Sequence, residues 1–384
     1  MESFDRMTGQ DLQVEEVRTE QDLKAFIQFP WQIYKGDSYW VPSLIKDQIA
    51  KFSPSNPFRS HSKMIFLLAT RKGQLVGRIA GIIDYHYIEF HQEKTGFFGF
   101  FESIPDEKVS EALLSRVQDW LREEGMAKMA GPMNPSTNDE CGLLIDGFDS
   151  SPCLMMPYNP RYYPPLLEGF GLKKVMDLYA YWLEESSFPL DRLNRVMERL
   201  KKREPRLRIR SLNLRRLDEE LKIVKEIYNQ TWSRSWGFVP LTEEEIDDMA
   251  KNLKPLLVPD LVLFAYLGEE PVGFAVSLPD YNQVLKHLNG KVGVLGALKF
   301  LYYSRKIKSI RVMLLGVKRS FQKRGVEALL YVESFKRGIR KGYRQAEGSW
   351  ILETNVLMRH GLETIGGKQY KTYRIYEMPL LDRK

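Results

Sequence analysis

The sequence predicts an α/β protein made of two copies of one unit. Three observations carry this: a collinear internal repeat, a hairpin pattern present in both copies, and an amphipathic helix downstream of each hairpin. In the repeat, VGRIAGIIDY (76–85) lies over VGFAVSLPDY (272–281), sharing Val, Gly, Asp and Tyr at an offset of 196. Asn159 falls on Asn355 at that same offset. LEGFGLKKVMDLYAY (167–181) then matches LETIGGKQYKTYRIY (362–376) at 195, and upstream YWVPSL (39–44) parallels GFVPLT (237–242). A slip of one residue over that distance is a single insertion.

In each copy a helical start precedes the hairpin. MIFLLATRKGQLVGRIAGIID and LVLFAYLGEEPVGFAVSLPD both place β-rich runs around a turn with Gly. A third strand follows, GFFGFFES in the first copy and SIRVMLLGV in the second. Next, DEKVSEALLSRVQDWLREEG sets Val109, Leu113, Leu114, Val117, Trp120 and Leu121 on one helical face. Its counterpart RGVEALLYVESFKRGIRKG does so with Val326, Leu329, Leu330, Val332 and Phe335. A further strand, a short helix and a closing strand complete each unit. These patterns divide the chain into an N-terminal unit over 1–185, a charged helical linker over 186–205 with no core of its own, and a C-terminal unit over 206–384.

With 43% apolar and 12% aromatic residues, the 384-residue chain has the composition of a folded protein and excludes wholesale disorder. Cys141 and Cys153 have neither CxxC spacing nor nearby histidines, which argues against a disulfide framework or a zinc site and suits a reducing cytoplasm. No apolar stretch is long enough to span a bilayer, and MESFDRMTGQDLQVEE carries no secretory signal. The expected location is therefore cytoplasmic. A net charge of +7 favours anionic partners. Eleven Lys/Arg fall in 192–216 and fourteen in 299–344, the latter against two Glu.

Within the second basic window, GVKRSFQKRGVEALL (316–330) crowds Lys318, Arg319, Lys323 and Arg324 around Gly325, just before a helix. Such a loop can cradle a pyrophosphate on backbone N–H groups and a helix N-terminus, with Gly325 allowing close approach. A solvated basic turn is the plainer reading. Another stretch, VGVLGALKFLYYSRKIKSIR (292–311), sets Leu295, Leu298, Phe300, Leu301 and Tyr302 ahead of Arg305, Lys306 and Lys308. It fits either an interfacial helix on anionic lipid at the inner membrane surface or a core helix with a basic end.

The element order, with an apolar strand running into a basic glycine loop and then a helix, resembles the GCN5-related N-acetyltransferase (GNAT) superfamily. That family's acyl-CoA loop reads Gln/Arg-x-x-Gly-x-Gly/Ala, and Gln322, Lys323, Arg324, Gly325 and Val326 follow it. The last small residue is replaced by Glu327, with Ala328 adjacent. Asn355 sits where the family places an Asn at the start of a later helix, and LETIGGK resembles the end of that helix. The family's frequent tyrosine acid would fall at Leu362. The first copy runs IPDEKVSEALL at the loop position, acidic and without glycine. Two-copy arrangements of this kind resemble FemX-like and mycothiol-synthase-like transferases, and GPMNPSTNDECGLLIDGFDSSPCLMMPYNPRYY is similar to a bacterial family of tandem GNAT-like proteins related to proposed bacterial ceramide synthases.

The resemblance implies two tandem GNAT-like domains, each a mixed, mostly antiparallel sheet flanked by helices. It also implies an N-acyltransferase taking acyl-CoA, acetyl or long-chain, or an acyl carrier protein as donor. The acceptor would be a small-molecule or lipid amine such as a long-chain sphingoid-type base, with no metal. Leu315, Gly316 and Val317 would bind the pantetheine arm, and Gln322, Lys323, Arg324, Gly325, Val326 and Ala328 the diphosphate. Glu347 and Glu353 are candidate bases beside Asn355; in an uninterrupted strand Glu347, Ser349 and Ile351 share a face. The polar cluster Asn134, Asn138, Asp139 and Glu140 could hold an amine and hydroxyls. Two other readings stay open: a catalytically inactive protein that binds acyl-CoA or a partner, and an aminoacyl-tRNA-dependent transferase using the basic linker. Nucleic acid is otherwise not an expected partner.

Overall fold

The computed structural model describes residues 12–380. Its strands form where the sequence alternates or runs apolar between turn residues. In the first half these are β1 (Leu12–Glu16), β2 (Ser62–Arg71), β3 (Gln74–Asp84), β4 (Thr95–Ser103), β5 (Lys128–Gly131), β6 (Met133–Asn134), β7 (Glu140–Cys141), β8 (Leu143–Asp146) and β9 (Lys173–Glu184). In the second half they are β10 (Leu207–Ser211), β11 (Val262–Leu267), β12 (Glu270–Pro279), β13 (Ser309–Val317), β14 (Gln345–Leu352) and β15 (Lys368–Pro379). The β2–β3 hairpin closes on Lys72 and Gly73, both at positive φ, the backbone that a two-residue turn between twisted strands requires.

The helix Glu107–Glu123, capped by Asp106, buries the stripe from Val109 to Leu121 against the first half's sheet. The helix Val326–Arg340 does the same with Leu329, Leu330, Val332 and Phe335 in the second. Each stripe recurs at helical spacing, so burying it contributes roughly 1.5–3 kcal/mol per large side chain.

Both halves join one sheet of order β1-β2-β3-β4-β5-β15-β9-β14-β13-β12-β11-β10. The two closing strands are exchanged. β15 lies beside β5, where the first half's own β9 would complete its sheet, and β9 lies beside β14. β9 and β15 pair antiparallel between these positions in a register that respects the repeat. Asp177 faces Arg374, and their equivalents Thr372 and Tyr179 face each other. The repeat is thus a pseudo-two-fold arrangement about the β9–β15 seam.

The charged segment before the second half departs from expectation. Its helix Leu190–Arg203 presents Leu193, Met197 and Leu200 to the second half's core, so it is packed structure rather than a coreless connector. Both cysteines are buried and free.

Candidate functional site

In each half two neighbouring parallel strands start together and then part. β13 and β14 pair only from Ser309–Gln345 to Val312–Gly348. β13 continues along β12 to Val317, whereas β14 breaks register after Gly348 and ends against Leu178 and Tyr179 of β9. The wedge between them is an apolar cavity of about 260 Å³. Its walls are Val312–Leu315 on one strand and Gly348–Leu352 on the other. The helices Leu217–Trp232 and Glu243–Leu253 roof it with Leu221, Val224, Tyr228, Trp232, Ile246 and Met249.

The polar end of this cavity is built around Arg311, which is buried within an otherwise apolar strand. Its Nε donates to Ser349 Oγ at 2.9 Å, and its other guanidinium nitrogens donate to the carbonyls of Leu154 (2.6 Å) and Ser349 (3.2 Å). Ser349 in turn donates to Glu347, as does the Tyr370 hydroxyl, and the Arg311 Nε stands 3.7 Å from the Glu347 carboxylate. Glu347 is 0% exposed and lies one layer behind the cavity wall, reached through Ser349. Burial, then the nearby Glu347 carboxylate, pushes the Tyr370 hydroxyl and the Cys153 thiol well above their ordinary ranges. Burial also raises Asp280, which accepts from the Leu154 amide at 2.9 Å.

The predicted bases therefore separate. The register break after Gly348 undoes the regular alternation expected for Glu347, Ser349 and Ile351. Glu353 faces away from the cavity, accepting from Lys174 Nζ at 2.7 Å and from the Asp177 amide at 3.2 Å, where it fastens β14 to β9. Asn355 borders the cavity and caps the helix Val356–Thr364, accepting from the Met358 amide. Leu362, at the position of the family's tyrosine, is buried.

Of the predicted donor-loop residues, Leu315 borders the cavity. Gly316 is covered by Trp232, and Val317 is buried. Gln322 donates to the Val317 carbonyl at 3.1 Å. Lys323 takes a positive φ and is exposed, as is Ala328, while Val326 is in the core. Gly325 starts the helix Val326–Arg340 at φ +90. A Cβ there would stand 3.1 Å from Leu200 of the linker helix, and Arg324 pairs with Glu204 at that helix's end. The loop has the expected backbone, but the linker helix lies across it.

The cluster after β5 divides between two cavities. Asn138 and Asp139 line the apolar one, where Asn138 accepts from the Tyr228 hydroxyl (2.9 Å) and donates to the Val239 carbonyl (3.2 Å). Asn134 and Glu140 line a second cavity of about 290 Å³, at the corresponding parting of β4 and β5 in the first half. Asn134 accepts from the Phe100 amide at 2.7 Å, satisfying a backbone group of β4 at that parting. At that cavity's floor Glu102 accepts from Tyr34 (3.0 Å) and Tyr163 (2.7 Å), and burial raises its carboxyl.

Arg311 and Glu102 were absent from the sequence-based candidates. The available signal was one charge inside an apolar strand, SIRVMLLGV or GFFGFFES. Among the described residues no group of three or more His, Cys, Asp or Glu could hold a metal, and no helix is long and apolar enough to cross a membrane.

No protein-family model matches the chain. It is 37% identical over 363 residues to protein YghO of Escherichia coli (strain K12), covering 93% of this chain and 92% of that one. It is 36% identical over 382 residues to bacterial ceramide synthase of Caulobacter vibrioides (strain NA1000 / CB15N), covering 97% and 99%. Among solved structures, a tandem GNAT protein from the clavulanic acid biosynthesis pathway superposes with a TM-score of 0.57 at 11% identity, over 97% of this chain and 100% of that one. A GCN5-related N-acetyltransferase from Sphaerobacter thermophilus gives 0.54 at 12%, over 97% of each. The chain belongs to the family of tandem GNAT-fold proteins that includes YghO and bacterial ceramide synthase.

Proposed function

We propose that this protein is an N-acyltransferase that moves a long-chain acyl group from acyl-CoA, or from an acyl carrier protein, to the amine of a sphingoid-type base. The carrying observation is the apolar cavity where β13 and β14 part, whose lining includes the hydrogen-bonded pair Arg311 and Ser349. Its walls suit an alkyl chain, and strand edges without ladder partners beyond Val312 and Gly348 suit the amide groups of a pantetheine arm. The 36% identity to a protein named bacterial ceramide synthase supports an acceptor of this class.

In the reaction the neutral amine attacks the thioester carbonyl, a C–N bond forms and the C–S bond breaks. One proton leaves the nitrogen and one reaches the departing thiolate. Arg311, whose two terminal nitrogens each keep a second N–H, would stabilise charge on the carbonyl oxygen. Glu347 acts through Ser349, taking its O–H so that Ser349 Oγ accepts from Arg311 Nε and holds the guanidinium in place, rather than by touching substrate. The diphosphate would rest on Lys323, Arg324 and the Gly325 helix start, which requires Leu200 and Glu204 to give way.

The test is direct: purified full-length protein with palmitoyl-CoA and sphinganine, reading free thiol and the mass of the amide. Amide formation with stoichiometric thiol supports the reading, and no thiol release with any amine overturns it. That same loop contact favours a second reading, an inactive protein that binds a partner, because Leu200 covers the loop that would take the diphosphate. Neither turnover nor thermal stabilisation with palmitoyl-CoA would select it.

A further inference from the structure

The segment 291–308 has five Lys/Arg and no acidic residue, and it holds the two most exposed large apolar side chains among the described residues. In the helix Val294–Ser304, Val294, Leu295, Leu298, Leu301 and Tyr302 stand 84, 75, 60, 60 and 56% exposed. Their spacing places them on one side of the helix. Phe300 stacks on Tyr281, and Tyr303 on His287, so the opposite side is already packed. Lys291, Lys299, Arg305, Lys306 and Lys308 border the apolar side and are themselves exposed.

From this geometry we infer that the helical hairpin 282–304 seats on an anionic lipid bilayer, with the aliphatic side of its second helix among the acyl chains and its cations at the headgroups. Leaving such a face in water is unfavourable, which calls for a covering surface. A second copy of this chain would set five cations against five. An anionic headgroup layer complements them and accepts aliphatic side chains without needing a shaped groove.

The hairpin is also joined to the first-half cavity. Asn282 and Leu285 line that cavity, Trp31 Nε1 donates to Asn289 Oδ1 at 2.9 Å, and the Ile45 amide donates to the Gly290 carbonyl at 3.0 Å. Trp31 and Leu44 are cavity residues as well, so a seated hairpin holds the wall of this second cavity beside the lipid surface. The inference concerns binding alone and does not rest on acyl transfer.

The test is flotation of the full chain with vesicles of phosphatidylcholine alone or of equimolar phosphatidylcholine and phosphatidylglycerol. Wild type should float with the mixed vesicles, and less so at high salt. Leu298→Glu/Leu301→Glu should weaken binding by roughly a hundredfold or more, since both aliphatic side chains leave the acyl region. Lys291→Glu/Arg305→Glu should abolish the preference for phosphatidylglycerol. All four positions are exposed, so an unchanged melting temperature confirms that the variants fold. Wild type that stays unbound to mixed vesicles, or the double Leu variant floating as wild type does, overturns the inference. So does a wild-type dimer that Leu298→Glu/Leu301→Glu converts to monomer, or capture of an acyl carrier protein by this face in place of vesicles.

Discussion

Leu200 of the linker helix lies against Gly325, within 3.1 Å of where a Cβ at that glycine would stand. The contact couples the segment between the halves to the basic loop proposed to take the diphosphate. Leu200→Ala removes a buried side chain and should cost about 2 kcal/mol or more of stability. If the loop takes the donor, the same change should tighten palmitoyl-CoA several-fold, read by calorimetry. Unchanged affinity would place the diphosphate elsewhere.

Gly325→Asp introduces a side chain at φ +90, against Leu200, and a negative charge at the helix start. Donor affinity should fall at least tenfold, while the circular dichroism spectrum keeps its folded form. Retained affinity would remove this loop from the site.

Glu347→Gln keeps the shape of the buried side chain and an acceptor for Ser349 and Tyr370. Its effect should be on turnover, more than tenfold, with donor affinity unchanged and a shifted pH–rate profile, as expected of a residue acting through another. Glu353→Gln, whose side chain bonds β9, should keep turnover within about twofold and lose up to about 1 kcal/mol of stability. Full turnover in Glu347→Gln would exclude it from the mechanism.

Met249→Trp and Ile246→Trp fill the roof of the apolar cavity. Relative rates with octanoyl-CoA and palmitoyl-CoA should shift toward the shorter chain by tenfold or more. An unaltered preference would mean that the acyl chain lies outside this cavity.

His61 sits between two carboxylates from opposite halves, Nδ1 3.0 Å from Asp84 and Nε2 3.2 Å from Glu245. Burial, the largest influence, lowers its pKa, but the two hydrogen bonds and the attendant charges together raise it from 6.5 to about 9. A folded-state value above the unfolded one gives stabilisation that is complete below pH 6.5 and is lost as pH climbs toward 9. Urea denaturation of wild type should show that decline, and His61→Gln should flatten it. A wild-type profile already flat across this window would rule out the charged bridge.

The double α/β architecture was legible because each hairpin and each amphipathic helix carries its own periodicity. The strand exchange was not. β9 and β15 hold equivalent places in the repeat, each the closing strand of its unit, so local pattern cannot say which neighbour each will join. The packing of the linker helix on the second half was not legible because Leu193, Met197 and Leu200, spaced four and three apart, are diluted by charges at nearly every other position. At the site, Asn138, Asp139, Asn355 and Leu315 do meet at one cavity. Glu353 and most of the loop do not, since sequence distance from a glycine motif says nothing about a helix folding back across it. Arg311, the residue that organises the polar end, arrives from mid-strand rather than from any motif.

Because each half lends its last strand to the other, neither can close its own sheet when severed from its neighbour. A break in the backbone just after β9, with both fragments made in one cell, should therefore give a single tightly held heterodimer. Either fragment produced alone would be left with an open slot beside β5 or β14, inviting strand capture from a copy of itself and precipitation. The tandem chain is, in this respect, two interlocked rings that must be forged together.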